Sequence, residues 1–536
     1  MSQQQKSIVG GMTVLSVAGL ICKVVAVLYR IPLAWLIGEQ GLGTFQLVFP
    51  TYNLQLTLAS SVLPVAVSRM VSFCLAKDDP RNARRTFRIA LALLTAAGAL
   101  GMFLMLLFNP YLSARVGDPE TKAGFIAIAP ALLLVCSMSA FRGFMQGQQN
   151  MLPTAVSQLI EQVGKVFVAL PCAWIGSRIG CTEPGQINIG LAAGGALMGN
   201  TIAEAVALLY MTLTCRKGRA AFLARPQNDA EAPMSRKALT RRLLSLAIPI
   251  TLSACIVPIA SFIDSGLLVT RLVDAAGFMR DEARAMYGRY SGYVLSLINV
   301  PTALAQAIAM SLVPAVSAAA ARGDRKGIAR QSATGLRMSF LVGLPSSVGL
   351  CLLAKPVLGM IYRFQTEAAL DQTAGLLTIS SMTIFVFMGV QATSGILQGI
   401  RKQRIPMYTL IVGVCVKIFL NYTLIGNPAV NIYGAPIASL TCYLISFLPN
   451  LYFVHKHTGL RFDPVNIFLK PLAATAVMGA LVWAGKTWLP GGLLSTTLLI
   501  LLAVASYFGL ARLFGALTKD DIAPLTRRFK RKKEQA

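Results

Sequence analysis

The residues able to do chemistry in this chain are the charges placed inside long apolar runs. Each costs very roughly 2.5–3.5 kcal/mol at the centre of a bilayer, so each needs a reason. The bases are Lys23, Arg30, Arg69, Arg142, Lys165, Arg271, Lys355, Lys417 and Arg512; the acids are Glu161, Glu204 and Asp264. Positive charge is in excess. Lys23 and Arg30 are seven residues apart, hence on one helical face, with Pro32 beyond them to bend the helix. A cavity-facing anion site is one reading of that pair, and internal pairing or snorkelling is the other. Gln158, Glu161, Gln162 and Lys165 form a single polar stripe, in which Glu161 and Lys165 at i, i+4 are expected to neutralise each other. The stripe faces protein or water rather than lipid, and either touches a substrate or glues helices.

Asp264 follows Pro249 and Pro258, and either holds a coupling cation or pairs with a base. Glu204, beside Gly190, Gly194, Gly195 and Gly199, reads as a packing or helix-glue residue. Lys417 and Asn421 form a smaller patch at i, i+4. Arg69, Arg142, Arg271, Lys355 and Arg512 lie near segment ends and can snorkel. No catalytic set accompanies these groups. His455 and His457 sit together at a segment end and read as surface residues, and no Gly-x-x-x-x-Gly-Lys-Ser/Thr motif occurs. The expectation is a protein that is not an enzyme, with no cofactor and no metal site, driven by an ion gradient, the membrane potential or consumption of substrate.

The elements that must position these charges follow from composition. The chain has 536 residues, 55% hydrophobic and 13% charged, with a mean hydropathy of +0.63. At about 20 residues per span this supplies roughly a dozen to fourteen spans and little else. A large soluble domain, a β-barrel and a peripheral protein are excluded. The fold class is all-α and polytopic, with fourteen spans running from about 8–37 and 43–75 to 467–487 and 492–516. Ten cysteines show no CxxC pair, and most lie in apolar runs as small hydrophobes. Cys181 alone falls in an outer loop.

The net charge of +28 would suggest nucleic acid in a soluble protein, but here it is topogenic. Bases crowd the even-numbered connections: Lys77, Arg81, Arg84 and Arg85 after span two, Arg216 to Arg242 after span six, Arg401, Lys402 and Arg404 after span ten. Both termini are therefore expected in the cytoplasm, with the protein in the cell membrane and no nucleic-acid partner. The basic tail Arg527–Lys533 reads as a solvated stop signal or as a contact for anionic membrane lipid.

An internal repeat is visible. Gly143-Phe-Met-Gln146-Gly147 returns as Gly395-Ile-Leu-Gln398-Gly399, and Lys165 and Phe167 return as Lys417 and Phe419, all 252 residues on. Leu63-Pro64-Val-Ala-Val-Ser68 resembles Val313-Pro314-Ala-Val-Ser317 at 249 to 250, and Arg88 is followed by Arg337 at 249. Six spans per step make this a parallel repeat. The expected domains are a six-helix lobe 1–225, a cytoplasmic linker 226–240, a second lobe 241–460, an extra helix pair 461–518 and a basic tail 519–536. Two such lobes suit alternating access around a site near mid-membrane.

The stretch Phe141-Arg-Gly-Phe-Met-Gln-Gly-Gln-Gln-Asn-Met-Leu-Pro-Thr-Ala-Val-Ser-Gln-Leu-Ile-Glu-Gln162 resembles the stage V sporulation protein B and polysaccharide-biosynthesis flippase family. So do Gly41-Leu-Gly-Thr-Phe-Gln-Leu47, Leu63–Ser68, and Leu312–Ser317 with Gly323-Asp324. The resemblance covers about residues 5–460 and places the chain near the multidrug/oligosaccharidyl-lipid/polysaccharide exporters, which include the lipid II flippases. It implies a V-shaped central cavity and a polyprenyl-pyrophosphate-linked sugar, a lipid-linked oligosaccharide, carried from the inner to the outer leaflet. It also implies that Lys23 and Arg30 grip the pyrophosphate, for which cationic donors are needed. With Arg142, Gln158, Glu161, Gln162 and Lys165 they make the expected substrate-binding set. Some relatives hold sodium between spans seven and eleven on carboxylates. Asp264 matches that pattern, whereas Lys417 and Asn421 depart from it, so the coupling cation, sodium or proton, stays open. The alternatives are a multidrug/cation antiporter of the same superfamily and a non-transporting scaffold for envelope or spore synthesis.

Overall fold

The computed structural model describes residues 3–60, 63–180, 187–218, 222, 235–459, 463–489 and 492–517. Cys181, linker residues 226–234 and the tail 519–536 lie outside the described residues, as does the side chain of Lys23. Every regular element among the described residues is helical, and thirteen segments there are long and apolar enough to cross a membrane. The first of these, Leu28–Leu75, takes in the second expected span and only the end of the first.

The chain forms two compact units, Met1–Gly292 and Tyr293–Ala536. The first holds α1 (Gln3–Ser60), α2 (Leu63–Leu75), α3 (Pro80–Leu107), α4 (Asn109–Arg115), α5 (Thr121–Gly147), α6 (Leu152–Gly164), α7 (Leu170–Arg178), α8 (Ile189–Lys217), α9 (Arg236–Ala254), α10 (Ile256–Asp274) and α11 (Arg280–Gly288). The second holds α12 (Leu295–Ala321), α13 (Arg325–Leu352), α14 (Ala354–Ile361), α15 (Glu367–Gly399), α16 (Arg404–Ile425), α17 (Gly434–Thr458), α18 (Lys470–Trp488) and α19 (Leu493–Leu513). Asp79 caps α3 through the Asn82 N–H at 2.9 Å, and Pro80 opens the helix where no N–H is needed. Asp324 caps α13 in the same way through Gly327 at 2.8 Å. Large apolar side chains such as Phe103, Phe167, Trp174 and Phe419 stay exposed, as a lipid-facing surface requires.

The expected loop at 38–42 is not a loop. The helical path breaks at Gly38 alone (φ 70°, ψ −177°), and Glu39 already belongs to the next helical stretch. Fifty-eight residues of straight helix would be about 87 Å long, far beyond one bilayer, so this break separates spans one and two. Glu39 is then buried against α11, where its Oε2 lies 2.6 Å from Arg289 Nη1. Beside it, Arg284 Nη2 lies 2.7 Å from Asp118 Oδ1, and the Thr44 hydroxyl donates to Asp118 Oδ2 at 2.7 Å. Glycine lets the two backbones approach: a methyl group on Gly43 would strike the Arg284 carbonyl, and one on Gly288 would strike that of Glu39. The expected span seven is likewise two helices, α9 and α10, interrupted at Cys255.

The repeat survives at the level of packing, with a corrected register. A methyl on Gly143 would meet the Pro64 carbonyl and one on Gly147 would meet Val71; in the second unit Gly395 meets the Ala309 carbonyl and Gly399 meets Val316. Ser72 donates to the Gly147 carbonyl at 2.7 Å, and Ser317 donates to that of Gly399 at 3.0 Å. Gly98 fits against Leu133 and Cys136 as Gly343 fits against Phe385 and Met388. The glycines of α5 and α15 are thus 252 residues apart, but their partners on α2–α3 and α12–α13 are 245 apart. The matches of Pro64 with Pro314 at 250 and of Arg88 with Arg337 at 249 are therefore about one helical turn out of register. On the structural register Arg88 matches Ala333.

In the second unit, α18 and α19 rest on α13 and α14 through Leu341, Val357, Met478, Leu499 and Ala503. The Tyr507 hydroxyl donates to the Leu341 carbonyl at 2.6 Å and fixes that pair.

The Gly38 conformation is nearly glycine-only, so Gly38→Ala should lower stability by about 1–3 kcal/mol even though its methyl would meet nothing within 4 Å. Gly19→Ala, helical and equally unobstructed, should be neutral or stabilising by roughly 0.5–1 kcal/mol. Thermal unfolding of the two variants in detergent checks this. Equal midpoints would show that Gly38 carries no backbone demand.

Candidate functional site

A cavity of about 570 Å³ opens inside the first unit, walled by α1, α2, α5, α6 and α10. Its polar lining includes Asn53, Ser139, Arg142, Gln146, Thr154 and Gln158. Arg142 is the charged group in the wall, and it is tightly held. Its Nη2 donates to Glu161 Oε1 at 2.5 Å and its Nε to Ser157 Oγ at 2.9 Å, while Ser157 in turn donates to the Thr154 carbonyl. One turn further on, Lys165 Nζ lies 3.5 Å from Glu204 Oε1. The contact follows from packing: a methyl on Gly164 would press on Ala203, so α6 and α8 touch where the next residues are Lys165 and Glu204. Lys165 also opens a π-turn, Lys165–Ala169, which widens the helix at this point. Cys22 of α1 lies within electrostatic reach of Glu161, Arg142 and Lys165, and Tyr52 within reach of both glutamates.

The result is a charge-balanced quartet, Arg142, Glu161, Lys165 and Glu204, spread over α5, α6 and α8. The expected i, i+4 neutralisation of Glu161 by Lys165 is replaced by partners on neighbouring helices. Arg142 does not snorkel, because a carboxylate 19 residues away gives it a better partner. Glu204 is an ion-pair residue and not only packing. Gln158 Oε1 and Thr154 Oγ1 are buried without a hydrogen-bond partner among the described residues.

The other expected residues are distributed more widely. Arg30 is half-buried on α1 and does not line this cavity; Lys23 is helical, with its side chain outside the described residues. Gln162 is half-buried. Asp264 stands one turn beyond the cavity residues Val257, Pro258 and Ser261 on α10. Lys417 and buried Asn421 lie on α16 in the second unit. Sequence reasoning missed the cavity residues Asn53 and Ser139 and the ion pairs of Glu39 and Asp118. The glycines Gly288 and Gly292, four apart, were the available signal for the latter.

The charged residues of the site lie in one half of the repeat. At 252 residues on, Arg142, Gln158, Glu161 and Gln162 correspond to Ser394, Leu410, Gly413 and Val414, and only Lys165 is matched, by Lys417. The duplicated scaffold therefore carries its charged chemistry asymmetrically.

A helical multi-pass membrane protein with a duplicated scaffold and a polar cavity is thus defined. Comparison with known proteins narrows it. A family model described as polysaccharide biosynthesis protein matches residues 8–320, and the chain belongs to that family. The MatE model matches residues 291–423. The chain is 27% identical to the lipid II flippase MurJ of Bacillus subtilis (strain 168) over 482 residues, 88% of this chain and 87% of that protein. It is 26% identical to stage V sporulation protein B of the same organism over 523 residues, 96% of each. Among solved structures it is similar to lipid II flippase MurJ in an inward closed conformation, with a TM-score of 0.70 at 14% identity, covering 93% of this chain and 98% of that one. It is also similar to an inward-facing multidrug resistance transporter of the MATE family, with a TM-score of 0.65 at 14% identity, covering 82% and 98%.

If Arg142 and Glu161 are mutual partners, Glu161→Ala should cost about 3 kcal/mol by leaving a buried guanidinium with only Ser157. The double change Arg142→Ala with Glu161→Ala should cost clearly less than the two single changes added. A double-mutant cycle on chemical denaturation in detergent measures this, and additive costs would remove the pair.

Proposed function

We propose that this protein is a flippase that carries a polyprenyl-pyrophosphate-linked sugar, lipid II or a related polysaccharide precursor, across the cytoplasmic membrane by alternating access. The observation that carries the reading is a guanidinium in the wall of an intramembrane cavity, in a chain related along nearly its whole length to a protein named a lipid II flippase. A pyrophosphate crossing hydrocarbon needs cationic, bidentate donors, which Arg142 supplies once its bond to Glu161 is exchanged for one to phosphate. Glu161 occupies Arg142 and Glu204 occupies Lys165 while the cavity holds no cargo. Lys23 and Arg30 of α1 are further phosphate ligands in this reading, and Gln158, Gln162 and Thr154 address sugar hydroxyls. The six-helix lobes 1–225 and 241–460, the linker 226–240, the helix pair 461–518 and the tail 519–536 remain the working division, with both termini cytoplasmic because the basic connections lie on that side. Asp264 is the candidate carboxylate for a coupling cation, sodium or proton, with Lys417 and Asn421 as the polar groups of the second unit.

A multidrug antiporter is the second reading, favoured by the charge neutrality of the quartet and by the similarity of fold to a MATE transporter. Reconstitution separates them. In liposomes bearing a fluorescent lipid-linked sugar, the protein should speed arrival of label in the opposite leaflet. The double change Arg142→Gln with Glu161→Gln, which leaves no buried lone charge, should slow it at least tenfold, about 1.4 kcal/mol. Lys23→Ala with Arg30→Ala should abolish it with protein still in the membrane. Undiminished flipping in both variants would sink the site assignment; drug efflux without flipping would favour the antiporter.

A further inference from the structure

A second cavity, of about 580 Å³, lies in the first unit where the first turns of α3 meet the last turns of α5 and α8. It shares no lining residue with the Arg142 cavity. Its wall is divided in two. One part is cationic and polar, with Arg84, Arg88 and Arg216 beside Gln148 and Thr212. The other part is aromatic: Phe87 packs on Phe141 at 5.3 Å and on Phe144 at 4.6 Å, and Phe144 packs on Phe222 at 5.2 Å between ring centres. Phe222 is held there by its N–H, which donates to the Gly218 carbonyl at 3.0 Å.

The cationic part has a feature that simple topogenic bases lack. Arg88 and Arg216 are exposed, and neither makes an ion pair among the described residues. Arg88 stands eight residues inside α3, about 12 Å along the helix, so its charge reaches well past the connecting loop. The matching position in the second half is Ala333, so the repeat does not require a base there. A lone guanidinium at that depth calls for an anion that itself sits at the edge of the hydrocarbon. A free anion would leave the aromatic floor without purpose, and a neutral lipid would leave the arginines without one.

We propose that this cavity binds an anionic phospholipid, its phosphate held between Arg88 and Arg216 and an acyl chain lying against Phe87, Phe141 and Phe144. Phosphate suits the arginines because it accepts paired donors. The bound lipid joins α3, α5 and α8 at the end where the basic connections begin, and so braces the bundle that contains Arg142. This inference does not depend on what the protein transports.

Full-length protein purified in detergent is titrated with phosphatidylglycerol, phosphatidylcholine or inorganic phosphate, and retained lipid is counted by native mass spectrometry. Phosphatidylglycerol should be retained at least tenfold better than phosphatidylcholine. Arg88→Gln with Arg216→Gln should bring it to the phosphatidylcholine level. Arg322→Gln with Arg325→Gln, the same charge loss at exposed positions of the second unit, should change nothing. Phosphatidylglycerol should raise the unfolding midpoint of the parent protein and not that of the Arg88/Arg216 variant, whose lipid-free midpoint should match the parent's. Equal retention of the two lipids, unchanged retention in the Arg88/Arg216 variant, or displacement of the lipid by millimolar inorganic phosphate would each overturn the proposal. Loss of flipping in Arg142 variants with lipid retention intact would leave the two sites independently assigned.

Discussion

A guanidinium in the interior of a membrane bundle is tolerable only with a carboxylate on it, and that constraint organises the first unit. Arg142 and Lys165 each find a glutamate on an adjacent helix, so α5, α6 and α8 are tied by charge where their backbones are already close. Four isolated charges would cost roughly 10–14 kcal/mol on the insertion scale; paired, they become an internal framework. The same logic recurs at the break in α1, where Glu39 and Asp118 hold Arg289 and Arg284. Lys165 and Arg289 each begin a π-turn, so the helix is locally widened at the ion pair in both places.

Duplication supplied the packing but not the chemistry. Close approaches at Gly98, Gly143 and Gly147 return at Gly343, Gly395 and Gly399, down to the serine that bonds the last glycine's carbonyl. Such contacts are van der Waals packing between apolar helices, which needs small residues and tolerates little else. Polar residues carry no such packing demand, and Glu161 corresponds to Gly413 at the 252-residue step. One half is therefore free to bear the acid–base pairs while the other, with Ser394, Leu410, Gly413 and Val414 at the matching positions, keeps only Lys417.

Much of this was legible in the sequence, and the misreadings have physical causes. Membrane class, helix number and the 252-residue step follow from hydropathy and identity of short motifs. The polar stripe from Gln158 to Lys165 was also plain, because periodicity along one helix is local information. Its ion-pair partners were not, since i, i+4 proximity within α6 lost to Arg142 and Glu204 on other helices, and no local pattern reports which helix lies alongside. The register error at Pro64 arose because two prolines look equivalent, whereas the packing is set by glycine contacts one turn away. Glu39 was read as a loop residue because a single glycine, without any turn-rich stretch, is enough to end a helix at φ 70°.

The central claim is that Arg142 exchanges its carboxylate for a cargo phosphate. The most direct measurement is an experimental structure of the full-length protein with a bound polyprenyl-pyrophosphate sugar. The account predicts the pyrophosphate in the α1–α5–α6–α10 cavity, within hydrogen-bonding distance of the Arg142 guanidinium, with Glu161 turned away from it. A cargo phosphate resting elsewhere, with Arg142 still closed on Glu161, would contradict it.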